Sequence, residues 1–316
     1  MSTRQHLLID TDPGVDDALA LLMAYAQPQV TVAALTIAAG NVGLAATTRN
    51  ALKLLEVIGA DTPVFAGAGL PLVRPAMDAA FVHGEDGFGN IGYTPAQRLP
   101  DAEPAALAML RLSHELAGEL TFVMLGPLTN LALALSLDPS LPTRVKRLVI
   151  MGGAVTGCGN VQRIPVEFNI GFDPEAAHIV CSRWPRFDLI DWEATMAHGV
   201  DFARVEHWLA NPHPHAAFYR AISRKTRDWM RATRHASHWH AADALAMAVA
   251  LAPENAETWA ERPLAVELDG SLSRGATIVD WWQRSGAPAN ARILQSYRLP
   301  AFERLLQMAL GVAAAE

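Results

Sequence analysis

Short, continuous apolar runs alternate with longer stretches of helical periodicity along the first two thirds of the chain. His6–Asp10 reads as a strand and Val15–Ala26 as a helix. Val30–Ala39 is a strand again, and Leu44–Ile58 a helix closed by Gly59. Pro63–Ala66 is a short strand. Ala105–Leu116 is helical, Leu120–Leu125 a strand, and Leu128–Leu137 a helix. Arg147–Met151 is a strand, Pro174–Trp184 a helix with Asp173 as its N-cap and Pro at N1, and Phe187–Ile190 a strand. The strands are apolar throughout rather than alternating with polar residues. Strand–helix alternation of this kind predicts an α/β fold: a mostly parallel, doubly wound sheet, buried on both faces and joined by right-handed crossovers. From Phe202 to about Ala252 the pattern is mostly helical and rich in aromatics and histidines. β signals return at Leu264–Leu268, Thr277–Trp282 and Arg292–Tyr297, and a last helix runs near Ala301–Ala309.

No linker, repeat or charge run divides the 316 residues, so one domain over 1–316 is expected, with the helical segment as a flap over the sheet. With 51% hydrophobic residues the chain has ample material for a core, and a net charge of −7 argues against nucleic acid or an anionic membrane as partner. Cys158 and Cys181 supply neither a disulfide framework nor a zinc site, which suits a reducing compartment. The first strand begins too soon for a signal peptide, and Ala241–Ala252 is short and interrupted by Asp243, so no bilayer span is expected. A cytoplasmic location follows as the expectation.

Chemistry gathers where strands end. Asp10 and Asp12 close the first strand, Pro13-Gly14 makes a tight turn, and Asp16-Asp17 open the next helix. Acids in a helix's first turn complement its dipole by about 0.3–1 kcal/mol each, which accounts for Asp16 and Asp17 but not for Asp10 and Asp12. Four acids in one corner call for a hard cation with oxygen ligands, Ca2+ or Mg2+. Asn41, Gly126-Pro127-Leu128-Thr129-Asn130 and Met151-Gly152-Gly153 follow further strands, and ligands of open parallel sheets bind at those ends. The long connection from Gly67 to Pro104 carries His83-Gly84-Glu85-Asp86-Gly87-Phe88-Gly89-Asn90, whose glycines suit a chain bending around a ligand.

Asp10-Thr11-Asp12-Pro13-Gly14-Val15-Asp16-Asp17-Ala18 resembles the N-terminal motif of the inosine–uridine-preferring nucleoside hydrolases. Ala39-Gly40-Asn41-Val42, His83 to Gly87, Gly126 to Asn130, Met151 to Ala154, Glu167-Phe168-Asn169-Ile170, Asp173 to Ala177, Asp243 to Ala246 and Arg274 to Thr277 resemble its further blocks, in order, over nearly the whole chain. The resemblance implies hydrolysis of the N-glycosidic bond of a ribonucleoside in nucleoside salvage, with one Ca2+ per subunit holding the ribose hydroxyls and the attacking water. It makes Asp12 a calcium ligand and the general base, and Asp17, Asp243 and the backbone carbonyl of Leu125 the other ligands. Asp10 would orient them from behind. Asp16, Asn41 and Asn169 would bind the 2′- and 3′-hydroxyls, Glu167 and Asn160 the 5′-hydroxyl, and Met151 would pack on the sugar. A homodimer or homotetramer is what the family implies. Apart from the resemblance, Glu167 and Asn169 alternate with Phe168 as the solvent face of a strand would, and Asp243 reads as a helix-start acid.

The departure lies just before Asp243, where many relatives carry a leaving-group histidine and this chain has Ala242. His240, on a neighbouring face if the helix has already begun, and His83 are the candidate acids. The third option stacks the base on Trp229 or Trp239, which leans the expectation toward purines. Two other readings stay open. A haloacid dehalogenase-type phosphatase also places Asp-x-Asp after its first strand, but it needs a phosphate-binding lysine and leaves Asp16-Asp17 unexplained. A non-catalytic homologue that binds calcium and ribose would keep the fold.

Overall fold

The computed structural model describes residues 4–162, 164–234 and 237–312. The first strand–helix pairs are β1 (Gln5–Thr11), α1 (Val15–Tyr25), β2 (Val30–Ile37), α2 (Leu44–Ile58) and β3 (Val64–Ala66). After the short α3 (Ala80–His83) the alternation resumes with α4 (Ala105–Glu115), β4 (Leu120–Met124), α5 (Thr129–Leu137) and β5 (Arg147–Met151). Then come α6 (Phe168–Phe172), α7 (Pro174–Arg183), β6 (Phe187–Ile190) and α8 (Trp192–Ala197). The helical segment consists of β7 (Val200–Asp201), α9 (Phe202–Leu209), α10 (Pro214–Arg234), β8 (His238–Trp239) and α11 (Ala242–Leu251). The chain closes with β9 (Ala256–Arg262), β10 (Leu264–Val266), β11 (Thr277–Val279), β12 (Ala291–Tyr297) and α12 (Leu299–Ala309).

Eight strands form one sheet in the order β3-β2-β1-β4-β5-β6-β12-β9, parallel except where β9 meets β12. Both faces are covered, which explains the unbroken apolar runs. Leu7, Ile9, Val123 and Val149 pack into one core, while Leu8, Phe122, Met124, Leu148 and Ile150 pack into the other. Period-two alternation is thus present, with apolar side chains at both phases. Strand order reverses between β1 and β4, and the crevice at such a switch point is where the carboxyl ends of strands leave room for a ligand.

The helical segment does two things. α10 packs on α1, α2 and α3 and covers the carboxyl-end crevice, as a flap would. α11 is buried along all ten residues, packed against α1, α12, β4 and β5. A helix apolar all round must be enclosed, and its alanines let neighbours approach closely. Residues 256–262 form an edge strand that their charged sequence does not announce. Of the later β signals, the last joins the main sheet as β12, while β10 and β11 pair with each other as a separate two-stranded ladder.

Candidate active site

β1 carries Asp10, Thr11 and Asp12 to its carboxyl end, and the Pro13-Gly14 turn brings Asp17 back beneath them. Asp17 Oδ2 accepts the Gly14 N–H (2.9 Å), and Oδ1 accepts the Thr11 hydroxyl (2.5 Å) and the Asp12 N–H (3.2 Å). One carboxylate therefore both caps α1 and stands in the acidic corner. Asn41, after β2, donates its N–H to Asp12 Oδ2 (2.7 Å) and its side-chain amide to Asp17 Oδ2 (3.0 Å). Asp10 sits behind, accepting from Thr36 (2.7 Å) and Asn130 (2.9 Å).

Asp243 reaches the corner from the first turn of α11. Oxygens of Asp16, Asp17 and Asp243 lie within 4.8 Å of one another. Asp12, Asp17 and Asp243 are buried. Burial, reinforced by the neighbouring acids, pushes the carboxyls of Asp12 and Asp243 well above the usual range, and burial lifts Asp16 to about 6 and Asp10 to about 7. One oxygen each of Asp10, Asp12 and Asp16 is buried with no hydrogen-bond partner. Such groups signal a missing positive charge, since buried carboxylates without partners are costly. The trio that shares ligand distance contains Asp16, expected on the ribose, and does not include Asp12, whose Oδ1 is buried and unpartnered.

Above the corner opens a cavity of about 710 Å3, in the range of small-molecule sites. Its wall includes Asp16, Asn41, Leu125, Met151, Asn160, Glu167, Asn169 and Asp243, whereas Asp10, Asp12 and Asp17 lie buried behind it. Glu167 is the N-cap of α6, not a residue on the solvent face of a strand. Its oxygens accept the N–H groups of Gly153 (2.9 Å), Asn169 (2.9 Å) and Ile170 (3.1 Å). Asn160 Oδ1 accepts the Phe168 N–H (2.8 Å), and Asn169 donates to the Leu125 carbonyl (2.7 Å). The alternating polar residues at 167 and 169 are thus a helix cap and a residue of the helix it starts.

Burial raises the Glu167 carboxyl to about 7 against the three N–H donors that favour its charge. The folded chain then holds a proton that the unfolded chain has released, so this group removes stability as pH climbs from about 4.5 to about 7. Glu167→Gln is expected to flatten that part of the stability–pH curve in denaturant titrations; an unchanged curve would mean that the burial has no such consequence.

Gly126 and Gly40 flank Asp12. A Cβ on Gly126 would stand 2.5 Å from Asp12 Oδ1, and one on Gly40 would overlap Asp12 Oδ2. Gly126→Ala is expected to displace that carboxylate and lower kcat about 100-fold, as an ångström of misplacement does, with a modest drop in Tm. Unaltered kcat in steady-state assays would show that Asp12 has room to spare.

Against the same corner, His83 Nδ1 accepts the Val15 N–H (3.1 Å), and burial pushes the ring down to about 4. The imidazole is therefore neutral, with its proton on Nε2. His240 also lines the cavity, near the Thr195 carbonyl (3.3 Å), but α11 begins at Ala242, so His240 and Asp243 do not share a helix face. Trp229 meets Phe81 edge to face (5.7 Å) at the rim, and the buried Trp239 packs edge-on against Phe202 and Tyr219 while presenting part of its ring to the cavity. Phe81, Phe168 and Trp192 complete the aromatic wall and were not singled out from sequence. Trp192 follows Asp191 directly after β6, so the same strand-end rule that marked Asn41 and Met151 would have found it.

Among the described residues, no helix is long and apolar enough to cross a membrane. The chain matches the family profile of the inosine-uridine preferring nucleoside hydrolases over residues 7–304. It is 36% identical over 315 residues to the non-specific ribonucleoside hydrolase RihC of Salmonella enteritidis, covering 96% of this chain and 97% of that one. Its fold superposes on an inosine-guanosine nucleoside hydrolase with a TM-score of 0.91 at 30% identity, over 98% of this chain and 100% of the other. A plant nucleoside hydrolase, PpNRh1, gives 0.89 at 31% identity, over 97% and 99%. The chain belongs to the inosine-uridine preferring nucleoside hydrolase family.

Proposed function

We propose that the chain is a Ca2+-dependent ribonucleoside N-ribohydrolase of nucleoside salvage, releasing ribose and free base. The observation that carries this reading is the grouping of Asp16, Asp17 and Asp243 within ligand distance, next to the buried Asp12 and at a cavity with room for a nucleoside, with one oxygen each of Asp12 and Asp16 left unpartnered. The donors are all oxygens, which suits a hard cation, and Asp12, Asp17, Asp243 and the Leu125 carbonyl would hold it, with Asp16 close enough to join. When bound, the ion supplies the missing charge and makes a coordinated water more acidic.

The residues then divide the work. Asp12 Oδ2 is committed to the Asn41 N–H, so Oδ1 is the oxygen left to take the proton of the attacking water. The side-chain amide nitrogens of Asn41 and Asn169 point inward, to Asp17 and the Leu125 carbonyl. Their Oδ1 atoms, with Asp16, are left to accept the 2′- and 3′-hydroxyls. Asn160 spends its oxygen on the Phe168 N–H and keeps its amide to donate to the 5′-hydroxyl, beside Glu167. Such fixed contacts favour the oxocarbenium-like transition state. Met151 packs on the sugar, and Asp10 steadies the floor.

As a donor to the leaving group, neutral His83 offers a hydrogen bond rather than a full proton, and Ala242 offers nothing. The aromatic wall favours a large π-face, which supports a lean toward purines; the name non-specific on the Salmonella relative supports acceptance of both classes. Reducing-sugar assays on inosine, guanosine, uridine and cytidine test this. Purines are expected to show the higher kcat/KM, equal values would remove the lean, and ribose from none of them would leave a calcium- and ribose-binding protein. Turnover of phosphate esters alone would favour the phosphatase, but no lysine or arginine is among the described residues of the cavity wall.

A further inference from the structure

The loop from His83 to Asn90 does not bend around the cavity: only His83 of its residues lines the wall. It is folded on itself. Gly89 N–H donates to the His83 carbonyl (2.7 Å), Gly87 N–H to the Gly84 carbonyl (2.9 Å), and Asp86 Oδ1 accepts the N–H groups of Phe88 (2.7 Å) and Asn90 (2.9 Å). Besides the His83 bond to Val15, what joins this loop to the acidic corner comes from a third element. Asn50, in the middle of α2 and fully buried, donates its side-chain amide to the Pro13 carbonyl (2.8 Å) and to the Asp86 carbonyl (2.8 Å), and accepts the Tyr93 hydroxyl at Oδ1. Both amide hydrogens and the amide oxygen are thereby used. Gly87, at φ +79°, packs against that amide so closely that a Cβ there would stand 2.7 Å from Asn50 Nδ2.

We propose that Asn50 is a positioning residue for the cation corner: its amide ties the Asp12–Asp17 turn to the loop that carries His83. Pro13 lies between Asp12, on the strand side, and Asp16 and Asp17, on the helix side. Fixing its carbonyl fixes how far Asp12 stands from Asp16 and Asp17. His83 closes the same circuit by accepting the Val15 N–H, so the turn is held at Pro13 from one side and at Val15 from the other. Without the amide, the buried Pro13 carbonyl and the part-buried Asp86 carbonyl lose their donor, and the turn is left to find another arrangement. Outer partners of this kind tune ion affinity by orienting ligands they do not replace.

The inference rests on the calcium reading above, and the test separates the two. Calcium is titrated calorimetrically into the full chain, its Asn50→Ala and Asn50→Asp variants, and Tyr93→Phe as a control. Tyr93→Phe removes one bond to Asn50 but leaves both amide donors in place. Each Asn50 variant is expected to bind calcium about 10-fold more weakly, and Tyr93→Phe to keep wild-type affinity while lowering Tm. Asn50→Asp keeps the acceptor for Tyr93 but turns an oxygen toward two carbonyls, so it is expected to lose affinity as Asn50→Ala does. If neither folds, Asn50→Ser, with one short donor, is expected to shift affinity in the same direction. Wild-type affinity in a folded Asn50 variant would overturn the inference alone. A wild-type chain that binds no calcium would overturn the calcium reading and this inference with it.

Discussion

Asp12→Asn is expected to lower kcat for ribose release by about 1,000-fold or more, within what removal of a general base costs, with the chain fully folded. The substitution is close to isosteric. An amide oxygen still accepts the Asn41 N–H, while the atom replacing Oδ1 can no longer take a proton from water. Stability is expected to move the other way. Burial and three neighbouring acids already push the Asp12 carboxyl well above its usual range, so its charge opposes folding in the metal-free chain. The neutral variant is expected to melt at the same temperature or higher without calcium, a stability–activity trade-off of the kind found at active sites. Steady-state kinetics with thermal melts on one preparation check both halves. A variant that retains turnover would remove Asp12 from the chemistry.

Asp243→Ala is expected to abolish calcium binding and, with it, activity. Asp243 stands against Asp16 and Asp17 and is the one acid of α11, so on the proposed reading it would close the ion's coordination from outside the Asp10–Asp17 turn. A ligand that binds only the folded state stabilises it by about 2.7 kcal/mol at 100 times its Kd. Wild-type chain is expected to show that stabilisation as a calcium-dependent rise in Tm, and Asp243→Ala to show none. The alanine also relieves repulsion from Asp12, Asp16 and Asp17, so the calcium-free Tm should not fall as a cavity in α11 alone would make it. An equal calcium-dependent rise in the variant would place the ion elsewhere.

Much of the fold is legible because its strands are buried on both faces. Leu7 to Ile9, Phe122 to Met124 and Leu148 to Ile150 are apolar at both phases, and only a sheet covered on two sides has use for such runs. β9 escapes because it lies at the sheet edge, where Glu257 and Glu261 need no cover, and its pairing partner β12 follows some thirty residues later. The order of strands is likewise invisible locally. Nothing in Leu7–Asp10 says that it lies between β2 and β4, yet that placement opens the crevice the site occupies.

At the site, residue types at strand ends are readable, and Asp12, Asn41, Leu125 and Met151 are found where those ends converge. Relations across the chain are less so. Asp16 joins Asp17 and Asp243 at ligand distance because the turn and α11 set those side chains side by side, a relation between residues more than 200 positions apart. Glu167 and Asn169 look like a strand face until the backbone N–H groups that Glu167 caps are known. Phe81 and Trp192 are single aromatics in a short helix and a helix start, and only the assembled cavity shows that both line one wall.

Ribose release measured on one preparation before chelation, after chelation and after calcium is restored tests the central claim most directly. The account predicts turnover of ribonucleosides that is lost on chelation and regained with calcium in the wild type, and none in Asp12→Asn at any stage. Turnover indifferent to chelation, or equal in the two proteins, would contradict it.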